Sequence, residues 1–204
     1  AEVADAPWPN SLKTYEPATG DVAYEYNPEK AKELLKEAGY ENGFEFDLWC
    51  AETTAWVQMA EMIQNGLAEV GITANVKIMD QSTLLEERAK GKHQAYIARF
   101  SCSAGDTDWW FNRLYSELPY QQNACHYHND RVDELLVKCR YSVDEEQRYK
   151  DYMEILQLWR EDCGWISLAC PKMCYGIRST LCGIEPHAYG IGDQRFIHPI
   201  DMEG

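Results

Sequence analysis

Between Phe44 and Phe100 the hydrophobic period changes four times, and this alternation limits the available architectures more than any other feature of the chain. Phe44, Phe46 and Leu48 alternate with Glu45 and Asp47, the spacing of a strand with one buried face. Met59, Met62, Ile63, Leu67 and Val70 then recur at helical spacing, so a helix is expected from about Thr54 to Val70, where Gly71 stops the run. Ile72 to Met79 reads as a second strand, Ser82 to Lys90 as a helix opened by a Ser cap, and Gln94 to Phe100 as a third strand. A β-α-β-α-β order with short connections implies an α/β fold: an open sheet flanked by helices, with right-handed crossovers.

The flanking segments carry weaker signals. Residues up to about Tyr26 are rich in Pro, Gly, Asp and Tyr without a period and read as an irregular arm. Asn27-Pro28-Glu29 then supplies an N-cap, a proline at the first helical position and a first-turn acid, and Gly39 supplies the C-terminal stop of a helix over Pro28 to Ala38. Beyond Phe100, Trp109 to Tyr115 reads as a short helix, and Asp130 to Cys139 and Asp144 to Glu161 as longer ones. The last carries Tyr149, Tyr152, Met153, Leu156 and Trp159 on one side. Trp165 to Cys170 and Lys172 to Ile177 read as closing strands, and the stretch from Gly183 as loop. For 204 residues, one sizeable domain with a real core is the simpler reading.

Charge and hydropathy exclude several classes. Nineteen basic residues against thirty-four acids leave a net charge of -15, and the basic residues are scattered among acids, as in PEKAKELLKEAG, so no nucleic-acid partner is expected. No apolar stretch approaches the ~20 residues that span a bilayer. The opening AEVADAPWPNSLKTYEP has neither the basic start nor the apolar core of a signal peptide, as in a mature or truncated form. Eight cysteines favour an oxidising compartment, while Cys50 and Cys170, in apolar runs, also fit small buried hydrophobes.

Three chemical constellations can be weighed. Cys125, His126 and His128 offer metal-ligand types, but a structural zinc site takes four ligands in separated pairs, and the second pair would have to be Cys170 and Cys174. Surface histidines beside a structural cysteine are the plainer reading. Neither G-x-S-x-G nor a glycine-rich phosphate loop occurs, and YGIGDQ reads as a turn, so neither an enzyme nor a cofactor is expected. The third is ARFSCSAGDTDWWF. In open α/β sheets ligands bind outside the carboxyl ends of strands, which is where Ser101, Ser103, Ala104 and Gly105 fall. Asp106 and Asp108 suit the cap of the helix that follows, and Trp109 to Phe111 suit either a pocket lining or core.

YNPEKAKELLKEAGYENGFEFDLW, QMAEMIQNGLAEVGITANVKIMD and LLEERAKGKHQAYIARFSCSAGDTDWWF together resemble family 5 extracellular solute-binding proteins, the dipeptide, oligopeptide and nickel receptors of ABC transporters. The likeness is close from about Tyr26 to Phe111 and looser to about Ile184. It implies a periplasmic-binding-protein-like lobe. Residues 27–184 would be the second, C-terminal lobe of a two-lobed receptor, 1–26 an arm, and 185–204 a tail returning toward a first lobe that precedes this chain. It also implies an extracytoplasmic protein, periplasmic or lipid-anchored, that closes on a peptide or other small solute and delivers it to an ABC permease without chemistry. In dipeptide and oligopeptide receptors the loop after the Phe100-type strand presents an aspartate to the peptide's amine; the matching position here is Ser103, whose hydroxyl hydrogen-bonds an ammonium without neutralising it. The loop Cys50 to Trp56 likewise lacks the arginine with which dipeptide receptors hold a carboxylate. The resemblance implies ligand contact from Phe100, Ser101, Cys102, Ser103 and Trp109, with Trp49 and Glu52 on the neighbouring loop. Asp106, Trp110 and Phe111 would shape the loop and start its helix. As half of a cleft, the isolated chain is expected to bind weakly.

Overall fold

The computed structural model describes residues 2–3, 25–99, 107–119, 122–170, 176, 178, 181–182 and 201–202. The chain divides into two compact units, one of Tyr24–Phe100 with Glu117–His126, the other of Ala1–Ala23, Ser101–Ser116 and Tyr127–Gly204. The first strand, β1 (Glu2–Val3), lies inside the stretch expected to be wholly irregular. It has a partner in the second unit, described below.

In the first unit, α1 (Pro28–Glu37) starts and stops where its sequence signals stand. Asn27 Oδ1 accepts from the Lys30 amide at 2.9 Å, and Gly39 adopts a φ of +83° beyond the last turn. Strand β2 (Glu45–Ala51) is followed by α2 (Thr54–Ala68), β3 (Thr73–Met79), α3 (Gln81–Ala89) and β4 (Ala95–Tyr96). Among the described residues of this unit the strands pair in parallel. β2 is central, with β3 beside it from Glu45↔Thr73 to Ala51↔Met79 and β4 on its other edge at Leu48↔Ala95 and Trp49↔Tyr96. Helix α2 therefore returns the chain to one edge, and α3 carries it past β2 to the other.

Parallel strands need helices to cover them, and the core has that form. Leu48 and Cys50 of β2, Ala74, Ile97 and Ala60 of α2 are buried together, with Phe46, Val57, Ile63 and Leu67 packed against them. The alternation at Phe46, Leu48 and Cys50 meets the helical stripe Val57, Ala60, Ile63, Leu67. Met62, expected on that stripe, is 74% exposed. The stripe is centred on Ala60, whose small side chain lets the helix sit close on the sheet, and this rotates Met62 outward.

Two element ends differ from expectation. Helix α3 is capped by Asp80 rather than Ser82: its Oδ1 accepts from the Ser82 and Thr83 amides, both at 3.0 Å, and hydrogen bonding from Thr83 holds its carboxyl below the usual range. Strand β4 covers only Ala95–Tyr96 of the predicted Gln94 to Phe100. The Gln94 side chain takes the ladder position, accepting from the Asp47 amide at 2.8 Å, and the Ile97 amide adds a bond to Trp49 O at 2.9 Å. Phe100 lies outside the described residues.

In the second unit a short helix, α4 (Thr107–Phe111), runs into a 3-10 turn over Asn112–Leu114, replacing the continuous helix expected over Trp109 to Tyr115. Helices α5 (Asp130–Tyr141) and α6 (Glu145–Glu161) begin at Asn129 and Asp144, whose side chains accept from amides of the first turn. Val132, Leu135, Leu136 and Cys139 of α5 are buried, as are Tyr152, Ile155, Leu156 and Trp159 of α6, together with Phe111 and Leu114. Tyr149 and Met153 of the predicted stripe are only half-buried.

The predicted strand Trp165 to Cys170 is a strand only at β5 (Ala169–Cys170), antiparallel to β1. A further pair joins β6 (Leu181–Cys182) to β7 (Asp201–Met202), so the stretch expected as loop contains a strand. The predicted strand Lys172 to Ile177 falls mostly outside the described residues. Cys50, Cys125, Cys139 and Cys163 are free thiols, and Cys50 is fully buried among apolar groups, as its apolar run suggested. Among the described residues no helix is long and apolar enough to cross a membrane.

Candidate functional site

The strand order β3-β2-β4 sends the connection after β2 toward one edge, while β4 enters on the other. At such a switch point the loops at the carboxyl ends diverge and leave a crevice. Here β2 ends on the buried Ala51, the Glu52 amide bonds Met79 O at 3.0 Å to turn the chain, and α2 begins at Thr54. A cavity of about 270 Å³ opens at this end of the sheet. Its apolar wall is Trp56, Leu84, Leu85 and Ile97, and its polar lining is Gln81, Arg88, Tyr96 and Arg99, with Ala51 and Ala98 between. The Arg88 guanidinium stands 5.3 Å from the centre of the Tyr96 ring, a cation–π distance that orients the charge.

Trp49, one of the expected ligand residues, does not line this cavity. Its ring lies 6.0 Å from that of His93, which also meets Tyr96 edge-on at 4.8 Å and His126 at 5.7 Å. Glu52 is exposed at the turn after β2. Trp109 belongs to the second unit, where Arg113 lies over its ring at 4.9 Å. Phe100, Ser101, Cys102 and Ser103 fall outside the described residues, as do Asp106 and the Trp110 side chain. Phe111 is buried and stacked on Tyr152.

The cavity residues missed from sequence are mainly Arg88, Tyr96 and Arg99. Leu84 and Arg88 share a face of α3 by their i,i+4 spacing, which was a usable signal. That this face turns toward the carboxyl end of β4 was not visible in the spacing.

His93 Nε2 lies 2.9 Å from Ala124 O, as a donor to the carbonyl, while Nδ1 is buried without a hydrogen-bond partner. Burial lowers its pKa below the ordinary 6.5, the Ala124 carbonyl opposes this, and the His126 and Arg88 charges lower it further. The neutral ring is the native form. An unfolded chain takes up the proton first, so the stabilisation is complete above about pH 6.5 and is lost as pH falls below it. With His93→Gln, the fall in Tm between pH 7 and pH 5 is expected to become shallower than in the wild type; unchanged steepness would remove His93 from the acid response.

The metal candidates are otherwise engaged. His126 adopts a φ of 52° and packs so tightly on Gly91 that a Cβ there would sit 2.6 Å from its Cε1. Burial pushes the Cys125 thiol up to about 11, so it stays protonated in the metal-free chain. Tyr127 between them is structural, its hydroxyl donating to Asp162 at 2.7 Å, and His128 Nε2 lies 3.2 Å from Asp130. Among the described residues no group of three or more His, Cys, Asp or Glu is placed to hold a metal ion.

Comparison with known proteins adds independent findings. The family model of bacterial extracellular solute-binding proteins, family 5 Middle, matches residues 1–122. The glutathione-binding protein GsiB of Shigella flexneri is 32% identical over 187 residues, 82% of this chain and 36% of the relative. That of Pectobacterium atrosepticum is 32% identical over 198 residues, 90% of this chain and 37% of the relative. Among solved structures, the periplasmic binding protein DppA from Helicobacter pylori, in complex with the peptide STSA, superposes with a TM-score of 0.75 at 27% identity, covering 82% of this chain and 33% of that one. The oligopeptide-binding protein AppA from Bacillus subtilis, in complex with a nonapeptide, gives 0.76 at 25%, covering 92% and 40%. The chain thus spans little more than a third of the length of the curated relatives it matches.

Proposed function

The chain belongs to family 5 of the bacterial extracellular solute-binding proteins, and we propose that, within a longer protein, it forms the second lobe of a receptor that captures a peptide or peptide-like solute outside the cytoplasm. Residues 27–184 would form that lobe, with 185–204 running back toward the first. Closure of the two lobes is a shift between open and closed populations, driven by the ligand's higher affinity for the closed one. The loaded receptor then delivers its solute to the permease of an ABC importer. The family is one of solute-binding proteins rather than enzymes.

The observation that carries this reading is the cavity at the carboxyl end of the central parallel strand, where open α/β sheets hold their ligands. Glutathione and short peptides are the first candidates, because the curated relatives are glutathione-binding proteins and the two solved relatives described above hold peptides. Trp49, Glu52, Trp109 and the run Phe100, Ser101, Cys102 and Ser103 remain proposed contacts, joined now by Arg88 and Arg99.

The test is a thermal-shift and calorimetric titration of the full-length protein with glutathione, trialanine, a pentapeptide, maltose and nickel-histidine. A binder present at a hundred times its Kd adds about 2.7 kcal/mol of stability. Binding is expected for glutathione or a peptide and far weaker in the lone chain, because a ligand buries most of its surface between both walls. Binding confined to maltose or the nickel chelate would overturn the peptide reading, and equal affinity in the lone chain would overturn the two-lobe reading.

A further inference from the structure

We propose that His93 is an acid-released clasp: with its ring neutral it holds residues 122–126 on the sheet unit, and with its ring protonated it lets them go while the sheet stays folded.

The clasp sits on the sheet face turned away from α2. Leu48 and Cys50 of β2 are buried with Ala60 of α2, so Trp49, between them, turns to the opposite face. There the His93 ring centre stands 6.0 Å from that of Trp49, 4.8 Å from that of Tyr96 and 5.7 Å from that of His126. Residues 122–126 belong to the sheet unit, yet among the described residues they add no strand to it. Their described backbone bonds close on near neighbours: the Gln122 and Asn123 amides donate to Pro119 O at 2.8 and 3.1 Å, and the His126 amide to Asn123 O at 3.1 Å. The fastening to the sheet unit comes from side chains, through the 2.9 Å bond of His93 Nε2 to Ala124 O and the His126 ring against Gly91. Asn123 and Ala124 are buried while this fastening holds.

Protonation turns the contact against itself. It places a second N–H at Nδ1, an atom buried without a hydrogen-bond partner, and an unmet buried donor is costly. It also adds a positive charge among Arg88 from α3, Tyr96 from β4 and His126 from the docked residues, with Cys125 beside them within reach of the Arg88 charge. Burial opposes that charge first and His126 and Arg88 oppose it further, against the Ala124 carbonyl alone. Release opens Nδ1 to water and separates His93 from His126, so the released form binds the proton more tightly and gains population as pH falls below about 6.5. The core that packs on α2, around Leu48, Cys50, Ala60, Ala74 and Ile97, contains neither histidine. It therefore stays closed when the clasp opens, a local rather than a global transition.

The test is hydrogen exchange of the full-length protein at pH 7 and pH 5, read by mass spectrometry and corrected for the intrinsic exchange rate at each pH. A peptide covering residues 122–126 is expected to exchange roughly tenfold or more faster at pH 5, the scale set by a histidine that takes up its proton only in the released form. Peptides from β2 and α2 are expected to keep their protection at both. His93→Gln, which has no proton to take up in this range, should abolish the pH dependence of residues 122–126, and His126→Gln should leave most of it. Unchanged protection of residues 122–126 at pH 5 would overturn the proposal, as would equal losses in β2 and α2, the mark of global unfolding. A pH dependence that survives His93→Gln and disappears in His126→Gln would overturn the assignment to His93. The comparison between the two pH values needs no substitution, so a variant that fails to fold does not remove the test.

Discussion

Replacing Gly43 with alanine is expected to destabilise the sheet unit by at least about 3 kcal/mol, among the largest effects of any single methyl group. Gly43 has a φ of +72°, and a Cβ placed on it would stand 1.8 Å from Gly71 O and 2.6 Å from Gly71 C. Left-handed backbone costs an L-residue roughly 1–2 kcal/mol. The collision adds to this, because the opposing atoms are backbone and cannot swing aside. This contact joins the entrances of β2 and β3, where the Thr73 amide bonds Phe44 O at 2.9 Å, so separating the glycines pulls on the first rung of the central ladder. Gly39→Ala is the matched control: φ is +83° but nothing lies within 4 Å of the added carbon, so a loss of only about 1 kcal/mol is expected. Urea unfolding followed by tryptophan fluorescence measures both. Equal losses would mean that the two entrances move apart freely and that the close approach stores no constraint.

Tyr152→Ala is expected to cost about 3–5 kcal/mol in the helical unit. The side chain is fully buried, stacks on Phe111 with centroids 5.4 Å apart and planes 12° from parallel, and places its hydroxyl 3.4 Å from Asp108 and 3.2 Å from the Arg148 guanidinium. It thereby holds α4 against α6. Tyr152→Phe keeps the stack and is expected to cost only about 1 kcal/mol, since Asp108 retains Arg140 Nε at 3.5 Å. Burial first, and the Asp108 charge second, raise the phenol above its ordinary 10.0, so the native side chain stays protonated. Its stabilisation is present below about pH 10 and is lost as pH climbs beyond that, a loss that Tyr152→Phe removes. Thermal unfolding of the three proteins from pH 8 to pH 11 checks size and sign together; a Phe variant as unstable as the Ala variant would mean the hydroxyl, not the ring, holds the helix.

Much of the secondary structure was legible because its signals are local. The Asn27 cap needs only the amide three residues on, and Gly39 needs only its own backbone freedom. Where two local signals compete, spacing does not choose between them. Asp80 and Ser82 are both good caps, and the carboxylate won because it reaches two amides at once. β4 starts one residue later than its apolar pattern because the Gln94 side chain, rather than its backbone, meets Asp47.

The candidate site was half legible. That a ligand should sit at the carboxyl end of the Phe100 strand follows from topology, and the cavity lies beside that end. Phe100, Ser101, Cys102 and Ser103, expected from the loop, lie outside the described residues, while the cavity draws also on α3, a helix between two strands. Trp49 packs on His93 with ring centroids 6.0 Å apart, and its contact with a ligand stands as a proposal.

The sequence by itself determined the element order and therefore the class of sheet. Periods of about 2 and about 3.6 residues are properties of the backbone, and they persist whatever surrounds them. The tertiary structure decided which side chains line the cavity. Arg88, Tyr96 and Arg99 come from a helix and from the strand after it, and only the crossing of α3 past β2 brings their charges to one cavity. Charge is long-ranged in space but blind to chain position, so no spacing of these residues announced that they would line one cavity.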